Sequence, residues 1–456
     1  VGFESVRMPQ ADDPPARVPY EAEGIYALGV PRLFFTTHQS TVRTQDIIRA
    51  QPRLFFFSSF VSEEYQPFCQ DFGPIDLGGV VRFTEEVRSY MEDNRLQHRR
   101  LVYYSATDSA SITNSVFLLC CYLMLEHGFT PERAVARFER IENLPIEPFR
   151  DATFEVDTFG LTILDCLRGL KRATSLGWFD RVVFDAEGRE ELYEKPEHDI
   201  SPMTPKFVAF ATPKDDPKDE RYSARKSINH QAPFRRLGVT DVVRLNSDAL
   251  YRDSVFEQTM GFKHHVVEVP DCSAPPARQV ERFLNICDDS GEGVVAVHCL
   301  AGLGRTGTLI GCHMIKHYGF TAAECIGYLR AMRPGSVIGR QQHYLELIAE
   351  CEWKGNLPGV SDEALQKIIK DAWSAGRNAA VQCISQAATL LRAGSNLSAL
   401  ETLSGDEDVE EEGAAKAGGG GVTLALELQT ASQRSNASTE TRGCSFEQSE
   451  GGEEAR

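Results

Sequence analysis

The chain has no Cys-x-x-Cys pair and no Cys/His run with zinc spacing, which excludes the common structural metal motifs. Its 12 cysteines are scattered over 456 residues. Several lie in apolar runs (Cys120, Cys121, Cys312), where free cysteine behaves as a small hydrophobe. A reducing, intracellular compartment is therefore expected, not a disulfide framework. Basic residues are also short: 48 Lys and Arg against 66 Asp and Glu give a formal charge of −18. That balance argues against nucleic acid as the main partner, because a phosphate backbone wants a basic face. No uninterrupted apolar run reaches the ~18 residues of a membrane span, and no N-terminal stretch has the form of a signal peptide. The chain starts at Val1 without a methionine, so the natural N-terminus is expected upstream. The Asn-x-Ser triplets at Asn396 and Asn436 are expected to carry no meaning.

What is present divides into blocks. Residues 1–24 carry Pro14, Pro15 and Pro19 and are expected to be poorly ordered. A first α/β domain is expected over 25–170, a linker helix and acidic segment over 171–200, and a second α/β domain over 201–355. A helical extension (356–400) and a disordered acidic tail (401–456) complete the chain. Strands are read at Arg32–Phe35, Leu54–Phe57, Leu101–Tyr104, Lys206–Ala211, Thr240–Leu245 and His264–Val269. Helices are read at Leu77–Asp93, Ser115–His127, Leu161–Leu176, Arg278–Cys287, Gln341–Trp353, Ser361–Ala375 and Arg377–Ala393. Thr130-Pro131-Glu132 and Thr321-Ala322-Ala323-Glu324 read as helix starts.

One stretch organises the rest: Val294-Val295-Ala296-Val297-His298-Cys299, then Leu300-Ala301-Gly302-Leu303-Gly304-Arg305-Thr306-Gly307. A buried strand runs into a glycine-rich turn that opens an apolar helix. Successive amides in such a turn, with the helix N-terminus, make an anion-sized concavity. Arg305 pairs two phosphate oxygens at once. Cys299 in that field ionises readily, since thiol pKa values fall to roughly 3.5–7.5 in electropositive sites. A thiolate beneath a bound phosphate is the nucleophile of a phospho-cysteine mechanism. A proton for the leaving oxygen must come from another segment, and Asp271, after the strand ending Val269-Pro270, is the natural source.

A repeat is also visible. His127-Gly128-Phe129-Thr130 resembles Tyr318-Gly319-Phe320-Thr321, each between two helices. Counting back 20 residues from each glycine sets Asp108 against Cys299, and Asn114 then falls against Arg305. The first half thus reads as a copy without nucleophile or arginine, catalytically silent and shaping the substrate groove.

With these pieces placed, the chain resembles the cell-division-cycle-fourteen family of dual-specificity protein phosphatases over roughly residues 25–355. The blocks that carry the likeness are Asp71-Phe72-Gly73-Pro74, Pro148-Phe149-Arg150-Asp151-Ala152, His298 to Gly307, and Arg333-Pro334-Gly335-Ser336-Val337-Ile338-Gly339. The resemblance implies two tandem dual-specificity-phosphatase-like domains, only the second active, each a sheet flanked by helices. It implies phosphoserine-proline sites with a nearby basic residue as preferred substrates, phosphotyrosine as well, and opposition to cyclin-dependent kinases in the cell cycle. Nuclear and cytoplasmic residence, with spindle association, goes with that role. Residue by residue it assigns Asp271 as general acid and then base, and Gln341 and Gln342 as the groups that place the attacking water. Thr306 would stabilise the thiolate, His298 would orient the turn, and Glu191 and Glu194 would form an acidic substrate groove. Residues Leu300 to Arg305 would bind the phosphate. No metal or cofactor is needed, because Arg305 and the amides already neutralise the phosphoryl oxygens.

Three departures from the family pattern stand out: Leu300 in place of lysine, Cys272 in place of glycine and Arg340 in place of proline. Cys272 beside the general acid suggests a reversible oxidative lock on Cys299. The rival readings are a phosphoprotein-binding scaffold, a tyrosine-only phosphatase and a phosphoinositide phosphatase. The last is disfavoured by the uncharged Leu300, Ala301 and Leu303. The helices after Ser361 are candidates for homodimerisation or targeting.

Overall fold

Parallel strands cannot be joined by hairpins, so each crossover needs a covering helix, and the chain builds such a unit twice. The computed structural model describes residues 17–58, 65–195, 197–215, 225–247, 250–351 and 362–375. Strand β1 (Val18–Pro19) pairs in parallel with β6 (Ile141–Glu142), so the part of the N-terminal segment expected to be disordered that lies at Val18–Pro19 is ordered. The first sheet contains β2 (Tyr26–Ala27), β3 (Leu33–Thr37), β4 (Leu54–Phe57) and β5 (Arg100–Ser105), in the order β2-β3-β5-β4. The second contains β7 (Ile200–Thr204), β8 (Phe207–Ala211), β9 (Val239–Arg244), β10 (Lys263–Val266) and β11 (Val294–Cys299), in the order β7-β8-β11-β9-β10. In each, one edge strand is antiparallel (β2 on β3, β7 on β8) and the other pairings are parallel. Strands β2, β3, β5 and β4 therefore correspond to β7, β8, β11 and β9.

The helices are α1 (Thr41–Ala50), α2 (Leu77–Glu92), α3 (Ser109–His127), α4 (Pro131–Glu139), α5 (Ile163–Ser175), α6 (Ala186–Glu194), α7 (Gln231–Arg236), α8 (Ala277–Asp289), α9 (Gly304–Tyr318), α10 (Ala322–Met332), α11 (Arg340–Glu350) and α12 (Asp362–Ala375). The repeat read from the sequence is built into their ends. Helices α3 and α9 both stop at a left-handed glycine, Gly128 and Gly319. Helices α4 and α10 both start under a threonine cap, Thr130 and Thr321, the second a full capping box with Glu324. Such caps satisfy terminal backbone groups that have no intrahelical partner.

The two units share one continuous apolar core. They meet where α5 crosses α10. A Cβ at Gly169 would sit 2.1 Å from the Glu324 carbonyl oxygen, and one at Gly327 would sit 2.7 Å from the Cys166 Cα. Only glycines allow the two backbones that close. Arg172 pairs with Glu324 at 3.0 Å across the same seam. A smaller apolar cluster lies around Phe210, Phe234 and Phe256.

Several elements differ from the sequence reading. Helix α3 begins at Ser109, not Ser115, because Asp108 caps it by accepting from the Ser111 N–H. It has the length and mean apolarity of a membrane span, yet 78% of that window is buried inside the protein; its scattered Ser, Thr and Asn hid it from a search for unbroken apolar runs. The acidic stretch after Asp185 contains α6, capped by Asp185 itself. Strand β7 went unread because of Pro202, which an edge strand tolerates. Helix α1 also went unread, and β10 ends at Val266, short of Val269. Of the C-terminal extension, α12 is present. The expectations for residues 1–16, the helix at 377–393 and the acidic tail from 401 lie outside the described residues.

Candidate active site

Strand β11 is central in its sheet and ends at Cys299, paired with Ala211. The turn 300–303 then delivers the chain to α9, whose N-terminus has no side-chain cap, so its first amides stay available. Gly302 is left-handed (φ +68°), and a Cβ there would lie 2.1 Å from the Phe210 carbonyl oxygen. The turn is held from behind by Arg333, almost wholly buried (1% exposed). Its Nε donates to the Gly302 carbonyl (3.0 Å) and its Nη2 to the Ala301 carbonyl (2.9 Å). A trans peptide sets C=O and the next N–H on opposite sides, so this turns the Gly302 and Leu303 amides away from Arg333. Asp199 (2.8 Å) and the Ser201 hydroxyl (2.9 Å) fix the guanidinium in turn.

One pocket is lined by Asp271, Cys272, Cys299, Leu300, Ala301, Leu303, Gly304, Arg305, Ile338 and Gln341. Burial opposes ionisation of Cys299, but the Arg305 charge and the Thr306 hydroxyl and N–H outweigh it and bring the thiol below its ordinary range. The other buried thiols behave oppositely: burial pushes Cys120, Cys166, Cys312 and Cys325 up. The buried Thr306 hydroxyl faces the sulfur and has no other hydrogen-bond partner among the described residues. Arg305 donates from Nη1 to the Val269 carbonyl (3.1 Å) and pairs through Nη2 with Asp271 (2.9 Å), while its buried Nε has no hydrogen-bond partner among the described residues. Asp271, by contrast, is 41% exposed.

The structure brings most of the expected site residues together. His298 is fully buried between Tyr251 (2.7 Å) and the Thr212 hydroxyl (3.1 Å). Burial holds its imidazole neutral, well below the usual range, which suits an orienting group. Gln341 lines the pocket; its carbonyl accepts from the Ile338 N–H and its amide donates to the Ser273 carbonyl. Gln342 does not line the pocket: Arg330 donates to its carbonyl (2.7 Å), and its amide bonds the Gly339 carbonyl. Of the two glutamines expected to place the water, Gln341 alone is among the residues lining this pocket. Successive helical positions point about 100° apart, which sends the two side chains different ways.

Glu191 and Glu194 lie on α6, outside the pocket lining. Glu191 is exposed and paired with Lys195, and burial beside Glu190 raises the Glu194 carboxyl. Tyr193, between them, stacks 5.2 Å under the Arg333 guanidinium. Cys272 lines the pocket in a left-handed conformation (φ +52°), which explains why glycine suits that position. Desolvation raises its thiol to about 11. Arg340 opens α11, where the N–H that proline lacks has no helical partner anyway. Among the described residues no group of three or more His, Cys, Asp or Glu is arranged to hold a metal ion. Arg333 was missed as a site residue although its motif was visible, because nothing in the sequence says which carbonyls it reaches.

Comparison with known proteins agrees with this geometry. A family model described as the N-terminal half of dual specificity protein phosphatase matches residues 30–173, and one described as DSP-PTPase phosphatase of a polymorphic toxin system matches 220–319. The chain is 39% identical over 318 residues to dual specificity protein phosphatase CDC14A of Mus musculus, covering 69% of this chain and 51% of that protein. It is 38% identical over 317 residues to tyrosine-protein phosphatase CDC14 of Saccharomyces cerevisiae, covering 66% and 56%. The chain thus spans about half the length of these curated relatives. A third, dual specificity protein phosphatase CDC14C of Symphalangus syndactylus, is 33% identical over 353 residues, covering 77% of this chain and 70% of that protein. On that match the chain belongs to the CDC14 family of cysteine-based dual specificity protein phosphatases.

Proposed function

We propose that the chain is a cysteine-dependent protein phosphatase acting through a phospho-cysteine intermediate. The observation that carries this is the lowered thiol pKa of Cys299 in a pocket shared with Arg305 and Asp271. The Cys299 thiolate attacks phosphorus as the ester P–O bond breaks, and Asp271 gives its proton to the leaving oxygen. The turn amides and Arg305, whose Nε is uncommitted, hold the equatorial oxygens. Water then attacks phosphorus, forming the new P–O bond as the S–P bond breaks. Asp271 takes its proton, Gln341 places it, and the Thr306 hydroxyl receives the departing thiolate. The first unit takes no part in the bond changes.

The substrates in this reading are phosphoproteins, dephosphorylated at serine, threonine and tyrosine, with a preference for phosphoserine-proline followed by a basic residue. Helix α6 supports that preference: Glu191 is exposed, Glu194 is partly desolvated beside Glu190, and Tyr193 joins the helix to the phosphate loop through Arg333. Lys195 pairs with Glu191 and Arg82 with Glu190, and a substrate lysine would compete with these cations for the carboxylates. Opposition to cyclin-dependent kinases, with nuclear, cytoplasmic and spindle residence, belongs to the same reading. The uncharged Leu300, Ala301 and Leu303 give nothing to a second phosphate, so a phosphoinositide headgroup fits less well. The test is kinetic, on peptides that differ only in a downstream lysine. The native chain should favour the lysine peptide about tenfold, and Glu191→Lys with Glu194→Lys should abolish or invert the ratio. An unchanged ratio removes the groove assignment; no turnover of any phosphopeptide removes the phosphatase reading.

A further inference from the structure

The segment carrying Asp271 runs from Val269 to Pro276, and three side chains from elsewhere in the chain hold its carbonyls. Arg305 bonds the Val269 carbonyl and the Asp271 carboxylate, and Gln341 bonds the Ser273 carbonyl. The third comes from outside the pocket: Gln366 Nε2, on α12, donates to the Ala274 carbonyl at 2.9 Å. Ala274 is buried, so without that amide its carbonyl would be left without this partner away from water.

Helix α12 is anchored for the purpose. Its Leu365, Ile368, Ile369 and Ala372 are buried in the core of the molecule. That apolar face is therefore spent internally and is not free for a homodimer. Trp373 meets the His343 ring edge-on at 5.9 Å and lies over Gly339, at the start of α11, which carries Gln341. The helix thus touches both segments that bring side chains to the pocket from outside the phosphate turn. Between Asp271 and Ala274 the backbone is closely turned, with Cys272 left-handed and the Ser273 hydroxyl bonded to the Pro270 carbonyl (2.8 Å). A shift at Ala274 therefore carries through to Asp271.

We propose that α12 is a latch on the acid segment, with Gln366 as a positioning residue that keeps Asp271 within reach of the leaving oxygen. This rests on Asp271 being the proton donor. The latch acts on proton transfer. In kcat/KM, which reports the phosphoryl-transfer step, its loss is felt only by substrates whose leaving group needs a proton. The shared hydrolysis step, in which Asp271 is the base, enters kcat for every substrate.

The experiment compares a phosphoseryl peptide with 2,4-dinitrophenyl phosphate, whose leaving phenolate needs none, in the full chain. Asp271→Asn should lower kcat/KM for the peptide at least ~10²-fold and kcat/KM for the dinitrophenyl ester less than about threefold. Gln366→Leu should reproduce that selectivity at about tenfold, with faster amide hydrogen exchange over 271–275. Gln366→Lys, which keeps a donor, should recover most of the rate. A Gln366→Leu chain that loses both substrates equally, or neither, overturns the latch while leaving Asp271 as the donor. Absence of leaving-group dependence in Asp271→Asn overturns the donor assignment, and the latch with it.

Discussion

The two units of this protein have the same strand order and the same pair of helix caps, yet only one ends its central strand on a cysteine. Their central strands end alike: β5 at Ser105 opposite Thr37, and β11 at Cys299 opposite Ala211. The difference lies in the turn just past each strand end. After Cys299 the turn 300–303 leads into a helix with no side-chain cap, with the buried Arg333 holding the turn's carbonyls. After Ser105 the turn is one residue shorter, and the Asp108 carboxylate accepts from the Ser111 N–H in the first turn of the helix. At the place where an anion would bind, the first unit has supplied one of its own. Asn114, which counting had set against Arg305, bonds the Phe72 carbonyl and the Ile75 N–H. A shared fold therefore fixes where a site stands, and a few atoms at one strand end decide whether it reacts.

That contrast is most easily broken at the sulfur. Cys299→Ser should lower turnover at least ~10³-fold with little change in melting temperature; retained activity would show that the two strand ends are equivalent. Next comes the support behind the turn. Arg333→Met removes the guanidinium from two carbonyls and leaves the half-buried Asp199 with Arg225 as its remaining ion-pair partner (3.0 Å). Because Arg225 still compensates Asp199, the stability cost should stay below the ~3–5 kcal/mol of an unpaired buried charge, while turnover should fall about 100-fold. Denaturant melts and kcat together check this. Smallest is the first unit's cap. Asp108→Ala should cost ~1 kcal/mol of stability and leave kcat/KM unchanged. A large fall in kcat/KM there would give the first unit a catalytic part.

How far the sequence carried depended on how local each signal was. Cys299, Gly302, Arg305 and the Thr321 capping box were legible because the turn, the helix start and their chemistry lie within a few residues of one another. Asp271 was legible because a proton donor had to follow a neighbouring strand. The repeat was legible from its helix ends, but counting from Gly128 aligned Asp108 with Cys299, while strand register aligns Ser105. Helix α3 starts one turn earlier than a count fitted to α9 assumes, and only the sheet reveals that. Arg333 and Gln366 were illegible as site residues. Arg333 acts on carbonyls 31 and 32 positions away in sequence, and Gln366 on one 92 positions away; no spacing rule reports a carbonyl's direction. Gln341 and Gln342 were indistinguishable until the helix phase was known.

The central claim is that the second unit's cradle, and not the fold as such, ionises the thiol. The direct measurement is the pH dependence of alkylation, read peptide by peptide, of Cys299 in the native chain and of the thiol introduced by Ser105→Cys. Because a lowered pKa means the thiolate forms at lower pH, Cys299 should react with a midpoint below ~8.5, and the acid limb of kcat/KM should fall at the same pH. The introduced thiol should titrate above that value. A Cys299 midpoint at or above ~8.5, or equal midpoints at the two strand ends, would contradict the account.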